Sequence, residues 1–299
     1  MTESTWLNQR ERGTLLLIRI TIRLATMFGR RAVRPLVVMI ALWYRLFDKN
    51  AVRASRDWLR RAHGSEPGFW AIYRHIRTFA QVTLDRVFLV TGRTRGFAFT
   101  SSGHDNLVAQ MATGHGAVLL GAHVGSFEAM RGRSFESNLR IQVLGYFKNA
   151  RMINALLEQL SPERNATVIH LGDDPVGTMA RVRARLDDGD FVALLGDRTG
   201  LNERTTTARF FGEEARFPSG PFLLASLLRC PVYLVFGLYR EPNRYDLSCE
   251  LFAERIDLPR RDRERGLQAA VQRFADRLEE RCRSAPDNWF NFYDFWSKQ

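Results

Sequence analysis

In the stretch Gly121-Ala-His123-Val-Gly-Ser-Phe-Glu128, a histidine and a carboxylate stand five residues apart, with four residues between them, a pairing whose types and spacing could move a proton. The preceding run, Ala117 to Leu120, has the length and composition of a buried strand. The following residues, with Phe127, Met130 and Phe135, turn helical. His123 is thus predicted at the C-terminal end of a strand, where open α/β sheets bind ligands. Glu128 falls about one turn into the next helix. In that geometry Glu128 is expected to accept a hydrogen bond from one imidazole nitrogen, fixing the tautomer and stabilising the imidazolium. The other nitrogen is left to take a proton from a substrate hydroxyl, which is itself the nucleophile. An imidazole pKa near 6.5 suits that task at neutral pH. Backbone N–H groups of Gly125 and Ser126 at the helix start, or an arginine, are expected to meet the oxyanion.

With six His and 32 acids in 299 residues, chance alone supplies about 0.6 pairs at this spacing, so spacing by itself decides nothing. What lifts the pair is that His123 alone among the histidines has an acid there, and that it sits at a predicted strand end. A satisfied structural histidine is the competing reading. Ser126 lies in Gly125-Ser-Phe-Glu-Ala, which lacks the Gly-x-Ser-x-Gly of a nucleophile elbow, so a lipid hydrolase using Ser126 is a minor alternative. Walker A, His-Glu-x-x-His and dinucleotide-binding patterns are absent from the sequence. Cys230, Cys249 and Cys282 are widely spaced, with no metal-ligand or redox pattern, as in a reducing compartment. Neither a metal nor a redox cofactor is expected.

The net charge of +12 is concentrated at the beginning of the chain. Residues 1–61 hold thirteen Arg and Lys against four acids, which leaves three of the twelve net charges for everything after. Such a basic head suits a polyanion. From Gly13 to Phe28 the chain is mostly Leu, Ile and Met, and Arg12, Arg19, Arg23, Arg30 and Arg34 project on a helical wheel to one narrow stripe. A second apolar run spans Pro35 to Tyr44. Neither run reaches the 18–20 or so uninterrupted apolar residues of a spanning helix. With Trp6, Trp43 and Tyr44 of the type found at headgroup depth, both are read as interfacial helices on an anionic membrane. The alternative is ordinary packing on the following domain. The polar start, Thr2 to Glu11, argues against a signal peptide. Nucleic acid is not the expected partner, because the arginines are interleaved with Leu and Ile and no binding motif accompanies them. A non-catalytic membrane scaffold is the other rival to an enzyme.

Residues 51–90 read as two helices punctuated by Gly64 to Gly68. Phe97 to Phe99 reads as a short strand, His104 as the start of a polar turn, and Asn106 to Ala112 as a helix. Beyond His123 the pattern alternates as a βα sheet. Strands are predicted at Ile141–Tyr146, Ala166–Leu171, Phe191–Leu195 and Pro231–Tyr239, and helices at Arg151–Leu160 and Val176–Leu186. A final amphipathic helix, about Arg265 to Cys282, carries Leu267, Val271, Phe274 and Leu278 on one face, suited to packing on the domain. Asp197 and Arg198 mark a second polar strand end. Phe210, Phe211 and Phe217 either line an acyl-chain slot or fill the core, the latter being favoured position by position. Arg209 or Arg216 is available for a phosphate or oxyanion.

The His-x4-Glu at 123–128, the Gly-Asp-Arg ending at Arg198, and the Phe-Phe-Gly block leading into Pro218-Ser-Gly-Pro-Phe-Leu-Leu-Ala225 resemble the lysophospholipid acyltransferase superfamily. The branch they look most like is that of the late lipid A (lauroyl/myristoyl) acyltransferases, over roughly residues 105–240, with the basic amphipathic beginning in keeping. Trp6-Leu-Asn-Gln-Arg-Glu-Arg-Gly13 and Pro286-Asp-Asn-Trp-Phe-Asn-Phe-Tyr-Asp-Phe-Trp296 look like acyltransferases of aryl-polyene clusters. The resemblance implies an α/β fold of glycerol-phosphate acyltransferase type, with a mostly parallel central sheet flanked by helices and an amphipathic helical region before it. It implies acyl transfer to a lipid hydroxyl from a thioester of acyl carrier protein or coenzyme A, at the cytoplasmic face of the bacterial inner membrane. It carries catalysis onto His123 and Glu128 and a supporting acid onto Asp197, and it calls for an arginine that Arg164 or Arg151 could supply. The branch commonly has Gln where this chain has Arg198, a departure that points to a different acceptor. Residues 1–61 are thus expected to form a membrane-associated region and residues 62–299 the acyltransferase domain.

Overall fold

The computed structural model describes residues 15–134, 139–145, 168–170, 174–199, 203–259 and 261–296. In chain order come α1 (Leu15–Phe47), α2 (Lys49–His63), α3 (Phe69–Val90), β1 (Ala98–Ser102), α4 (His104–Ala112), β2 (Val118–Gly121) and α5 (Phe127–Ser134). They are followed by β3 (Ile141–Gly145), β4 (Val168–His170), α6 (Pro175–Asp187), β5 (Phe191–Leu195), β6 (Thr205–Phe210) and β7 (Glu213–Pro218). The chain then forms α7 (Gly220–Leu228), β8 (Val232–Arg240), β9 (Arg244–Ala253), α8 (Arg263–Ser284) and a short turn of 3-10 helix, Pro286–Asn288. The helix expected at Arg151–Leu160 lies outside the described residues.

Among the described residues the central sheet has seven strands in the order β1-β9-β8-β2-β5-β3-β4, and β6 and β7 form a separate hairpin. Every neighbouring pair in the sheet is parallel except β8 with β9. The mostly parallel α/β architecture expected from the alternating pattern is therefore the one observed. Strand β2 sits between β8 and β5 and is buried along its whole length, which is why it reads as an unbroken apolar run. Its side chains alternate between two cores. Val118 and Leu120 join Val192 and Leu194 on the face covered by α2, α7 and α8, whereas Leu119, Phe191 and Ala193 face Leu107 of α4 and Met130 of α5. The last amphipathic helix packs as its pattern indicates, with Leu267, Val271, Phe274, Leu278 and Cys282 all buried.

The first helix is less simple than its wheel. Gly29 adopts φ 80° and ψ 171° and breaks α1 into two helical arms. Just past the break Arg30 turns inward, its Nε 2.7 Å from Oδ1 of the buried Asp85. That carboxylate also accepts from Tyr245 (2.8 Å) and Gln81 (2.8 Å). Arg34 approaches Glu241 at 3.6 Å. The arginine stripe is therefore not one outward-facing surface: Arg23 is exposed, but Arg30 and Arg34 tie the helix to the domain. Ala25, Val33 and Val37 pack on Leu84, Val87 and Phe88 of α3. The opposite side leaves Val38, Met39, Leu42, Trp43, Leu46 and Phe47 exposed, next to exposed Phe69 and Trp70. Among the described residues no helix is long and apolar enough to cross a membrane.

Candidate active site

Strand order makes the site. Because β2 and β5 are parallel neighbours with Gly121 opposite Leu195, the residues two places beyond each strand, His123 and Asp197, emerge side by side. The ladder runs on through Gly196 N–H to Gly121 O at 2.9 Å. The His123 Nδ1 lies 2.8 Å from Asp197 Oδ1, and the His123 backbone N–H donates to Oδ2 at 3.0 Å. Oδ2 also accepts the indole N–H of Trp289 at 3.2 Å. Asp197 is 0 % exposed, and a buried carboxylate must be hydrogen-bonded to be tolerated.

The electrostatics assign the proton. Burial works to raise the Asp197 pKa, but His123, Arg198 and the backbone N–H outweigh it and hold the carboxyl below the usual aspartate value. An ionised carboxylate only accepts, so Nδ1 of His123 carries the hydrogen and Nε2 has the lone pair. Desolvation, and then the charge of Arg198, lower the His123 pKa by more than Asp197 raises it, with Arg86 adding to the lowering. The imidazole is neutral at neutral pH. Its side chain is 30 % exposed, and among the described residues no hydrogen bond reaches Nε2. The imidazole thus presents an unprotonated Nε2 on its exposed side.

Residues 5–298 match the family model described as bacterial lipid A biosynthesis acyltransferase. The chain belongs to that family. It is accordingly an enzyme of the acyltransferase class acting on lipids. No curated protein matched the chain.

The site of this lipid A acyltransferase family member departs from its sequence reading at several points. The acid on the imidazole is Asp197 and not Glu128, since the neighbouring strand end delivers its carboxylate directly to Nδ1. Glu128 instead pairs with Arg86 of α3 at 2.7 Å. The N–H groups expected for the oxyanion are already in use: Gly125 N–H donates to Asn288 O and Ser126 N–H to Gly237 O, both at 2.8 Å. The tight turn that forces this needs glycine, because Gly125 has φ +66° and a Cβ there would stand 2.0 Å from Gly237 O. Ser126 is 1 % exposed. Its hydroxyl accepts from Ala129 N–H (3.1 Å) and donates to Glu128 (3.3 Å), the role of a helix N-cap. A substrate does not reach it, and a hydrolase built on Ser126 loses its nucleophile.

Arg198 belongs to the site: its guanidinium donates to Phe290 O at 2.6 Å, stands 5.8 Å from the Tyr293 ring and acts on His123 through its charge. Arg209 and Phe211 do not. Arg209 is exposed on β6, its backbone bonded to Gln272 of α8. Phe211 is buried against Trp58, 5.0 Å between ring centroids, so it fills core, as do Phe210 and Phe217. Arg164 and Arg151 lie outside the described residues.

The sequence reading missed Arg86 and Trp289. Arg86 sits in an ordinary helical stretch with no local signal. The aromatic block around Trp289 was visible, but nothing in its spacing ties it to a strand end. That block forms a strap over the back of the site: Phe290 N–H donates to His123 O at 3.0 Å, and Trp289 bridges Val124.

Proposed function

We propose that the protein moves a fatty acyl, or related polyene acyl, group from a thioester donor to a hydroxyl of a lipid or glycolipid, at the cytoplasmic face of the bacterial inner membrane. The observation that carries this reading is the His123–Asp197 pair, with a buried carboxylate on Nδ1 and a basic Nε2 left for substrate. As the acceptor oxygen bonds to the thioester carbonyl carbon, Nε2 takes its proton. The carbonyl oxygen becomes an oxyanion near the positive charges of Arg198 and Arg86. Collapse breaks the C–S bond, and the thiolate leaves with the proton returned by the imidazolium. An ester and a thiol are formed and His123 is again neutral. General-base help of this kind contributes about 10²–10⁴ in rate. Glu128, through its ion pair with Arg86, sets where that guanidinium stands.

The donor is a carrier-protein or coenzyme A thioester. The outward stripe of α2, with Lys49, Arg53, Arg56 and Arg60 exposed, suits an acidic carrier protein as well as anionic headgroups. The apolar face of α1 with exposed Trp43, next to exposed Trp70 of α3 and to Phe69, whose ring Arg45 covers at 4.2 Å, suits the bilayer interface. The likeness of residues 6–13 and 286–296 to aryl-polyene cluster acyltransferases supports a polyene acyl donor, and Arg198 in place of the common Gln supports an unusual acceptor.

The test is comparative lipid mass spectrometry on cells expressing wild type or His123→Ala. A lipid heavier than its precursor by one acyl group, present only with wild type, is expected. Identical lipid profiles from two folded, membrane-bound proteins, in cells containing the acceptor, would overturn the reading.

A further inference from the structure

Behind Asp197 lies a second histidine, a buried one, that the chemistry does not use. His75 of α3 is fully buried, and burial pushes its pKa down to about 4, so it is neutral. Its Nε2 is 2.9 Å from the Trp289 carbonyl oxygen, which can only accept, so Nε2 carries the hydrogen. Nδ1 therefore accepts, and Ser55 of α2 donates to it at 2.8 Å. The Trp289 ring is boxed in by Trp58 (4.6 Å between centroids), Phe295 (4.9 Å) and Phe210 (5.3 Å). A continuous set of hydrogen bonds thus runs from α2 and α3, through the backbone and indole of Trp289, to Oδ2 of Asp197, whose other oxygen holds His123.

We infer that Trp289, locked by His75 and Ser55, is a positioning residue that sets the orientation of the Asp197 carboxylate and through it the tautomer and basicity of His123. The inference rests on His123 being the base. Among the described residues Asp197 Oδ2 has two donors, the His123 backbone N–H and the indole. The backbone N–H moves with the histidine it would have to restrain, whereas the indole belongs to a separate strap. Without the indole N–H, the carboxylate is free to rotate about its last bond, and Oδ2 keeps more of its negative charge. The first effect lowers the fraction of imidazole in the productive geometry. The second favours the imidazolium. Among the described residues the other charged or titratable groups facing the pair are Arg198 and Tyr293, Arg86 from α3 with its partner Glu128, and the buried thiol of Cys282 from α8. Substitution at Trp289 changes the charge of none of them.

The test replaces Trp289 by 3-benzothienylalanine, which keeps the bicyclic shape and puts sulfur where the N–H was, with W289F as the simpler companion. In the full-length enzyme kcat is expected to fall about tenfold with KM within about twofold, of the size of one hydrogen bond to a charged group. The acid limb of the kcat/KM profile is expected to move to higher pH, and the ¹⁵N spectrum of His123 to show a weakened Nδ1–H population. His75→Gln, which can still donate to the Trp289 carbonyl, should keep more activity than His75→Leu. An unchanged acid limb and ¹⁵N spectrum, in a folded variant, would overturn the inference even if activity fell, since a merely structural role lowers the amount of folded enzyme and leaves both unmoved. If His123→Ala is as active as wild type while the spectrum still responds to Trp289, the fault lies with the assignment of the base and not with the strap.

Discussion

Asp197→Asn changes one atom of the site and gives the sharpest expectation. Among the described residues three hydrogens point at the Asp197 carboxylate: Nδ1–H of His123 at Oδ1, and the His123 backbone and Trp289 indole N–H groups at Oδ2. An asparagine can place its oxygen at only one of the two positions. With the oxygen facing Nδ1, its NH2 group confronts two buried N–H donors, each stranded at about 1–3 kcal/mol. With the oxygen facing the two N–H groups, the NH2 confronts Nδ1, which accepts once the imidazole moves its hydrogen to Nε2. The second arrangement satisfies every partner, so the variant is expected to fold and to hold His123 in the wrong tautomer, with no lone pair for the substrate. Loss of the general base costs about 10²–10⁴ in kcat, equivalent to about 2.7–5.5 kcal/mol of barrier. The assay is steady-state acyl transfer to purified acceptor, with thermal denaturation as the folding control and ¹⁵N spectra reporting the tautomer. Activity within threefold of wild type, in a protein whose histidine carries its hydrogen on Nε2, would refute the reasoning.

Other outcomes follow from the same geometry. Since the His123 pKa is depressed in the folded protein, the neutral form persists below pH 6.5, and kcat/KM is expected to be flat through neutrality and to fall only on the acid side of the ordinary histidine value. Arg198→Gln removes the larger of the two arginine contributions to that depression, so a pH–rate profile should show its acid limb displaced to higher pH. Arg30→Ala leaves Asp85 buried without its cation, at a cost of roughly 3–5 kcal/mol, and calorimetry should show Tm lower by roughly 10 °C. Replacing exposed Leu42 and Trp43 together by Glu should weaken binding to anionic vesicles at least tenfold in a flotation assay, each buried side chain being worth about 1.5–3 kcal/mol, without changing Tm.

The apolar runs that became β2, β5 and β8 were legible because a parallel strand buried on both faces needs little but Val, Leu and Ile. Strand β9 was harder. Its buried Tyr245, Leu247 and Cys249 alternate as they should, but Asp246 and Ser248 between them, and Glu250 just after, weaken the run. The hairpin of β6 and β7 was read only as a block of Phe and Gly, because its turn, with Phe211 at φ 52°, lacks the usual turn residue at that position. At the site, sequence picked out His123 and marked Asp197 as a polar strand end, yet it joined His123 to Glu128. Glu128 was near in the chain; Asp197 is 74 residues away and becomes a neighbour only once β5 lies beside β2. Trp289 is 92 residues from the aspartate it serves, a contact that no local spacing encodes.

The strap also imposes an order on biogenesis. Chains emerge from the ribosome N-terminus first and fold domain by domain as they do so. The exposed face of α1 is thus offered to its surroundings long before residues 286–290 are made. Until those late residues arrive, Asp197 lacks its indole donor and His123 O and Gly125 N–H lack their backbone partners. A nascent chain can therefore present α1 while the Asp197–His123 pair is still incompletely hydrogen-bonded, and a product cut short before Trp289 keeps the strands of the sheet but lacks the indole and backbone bonds to that pair.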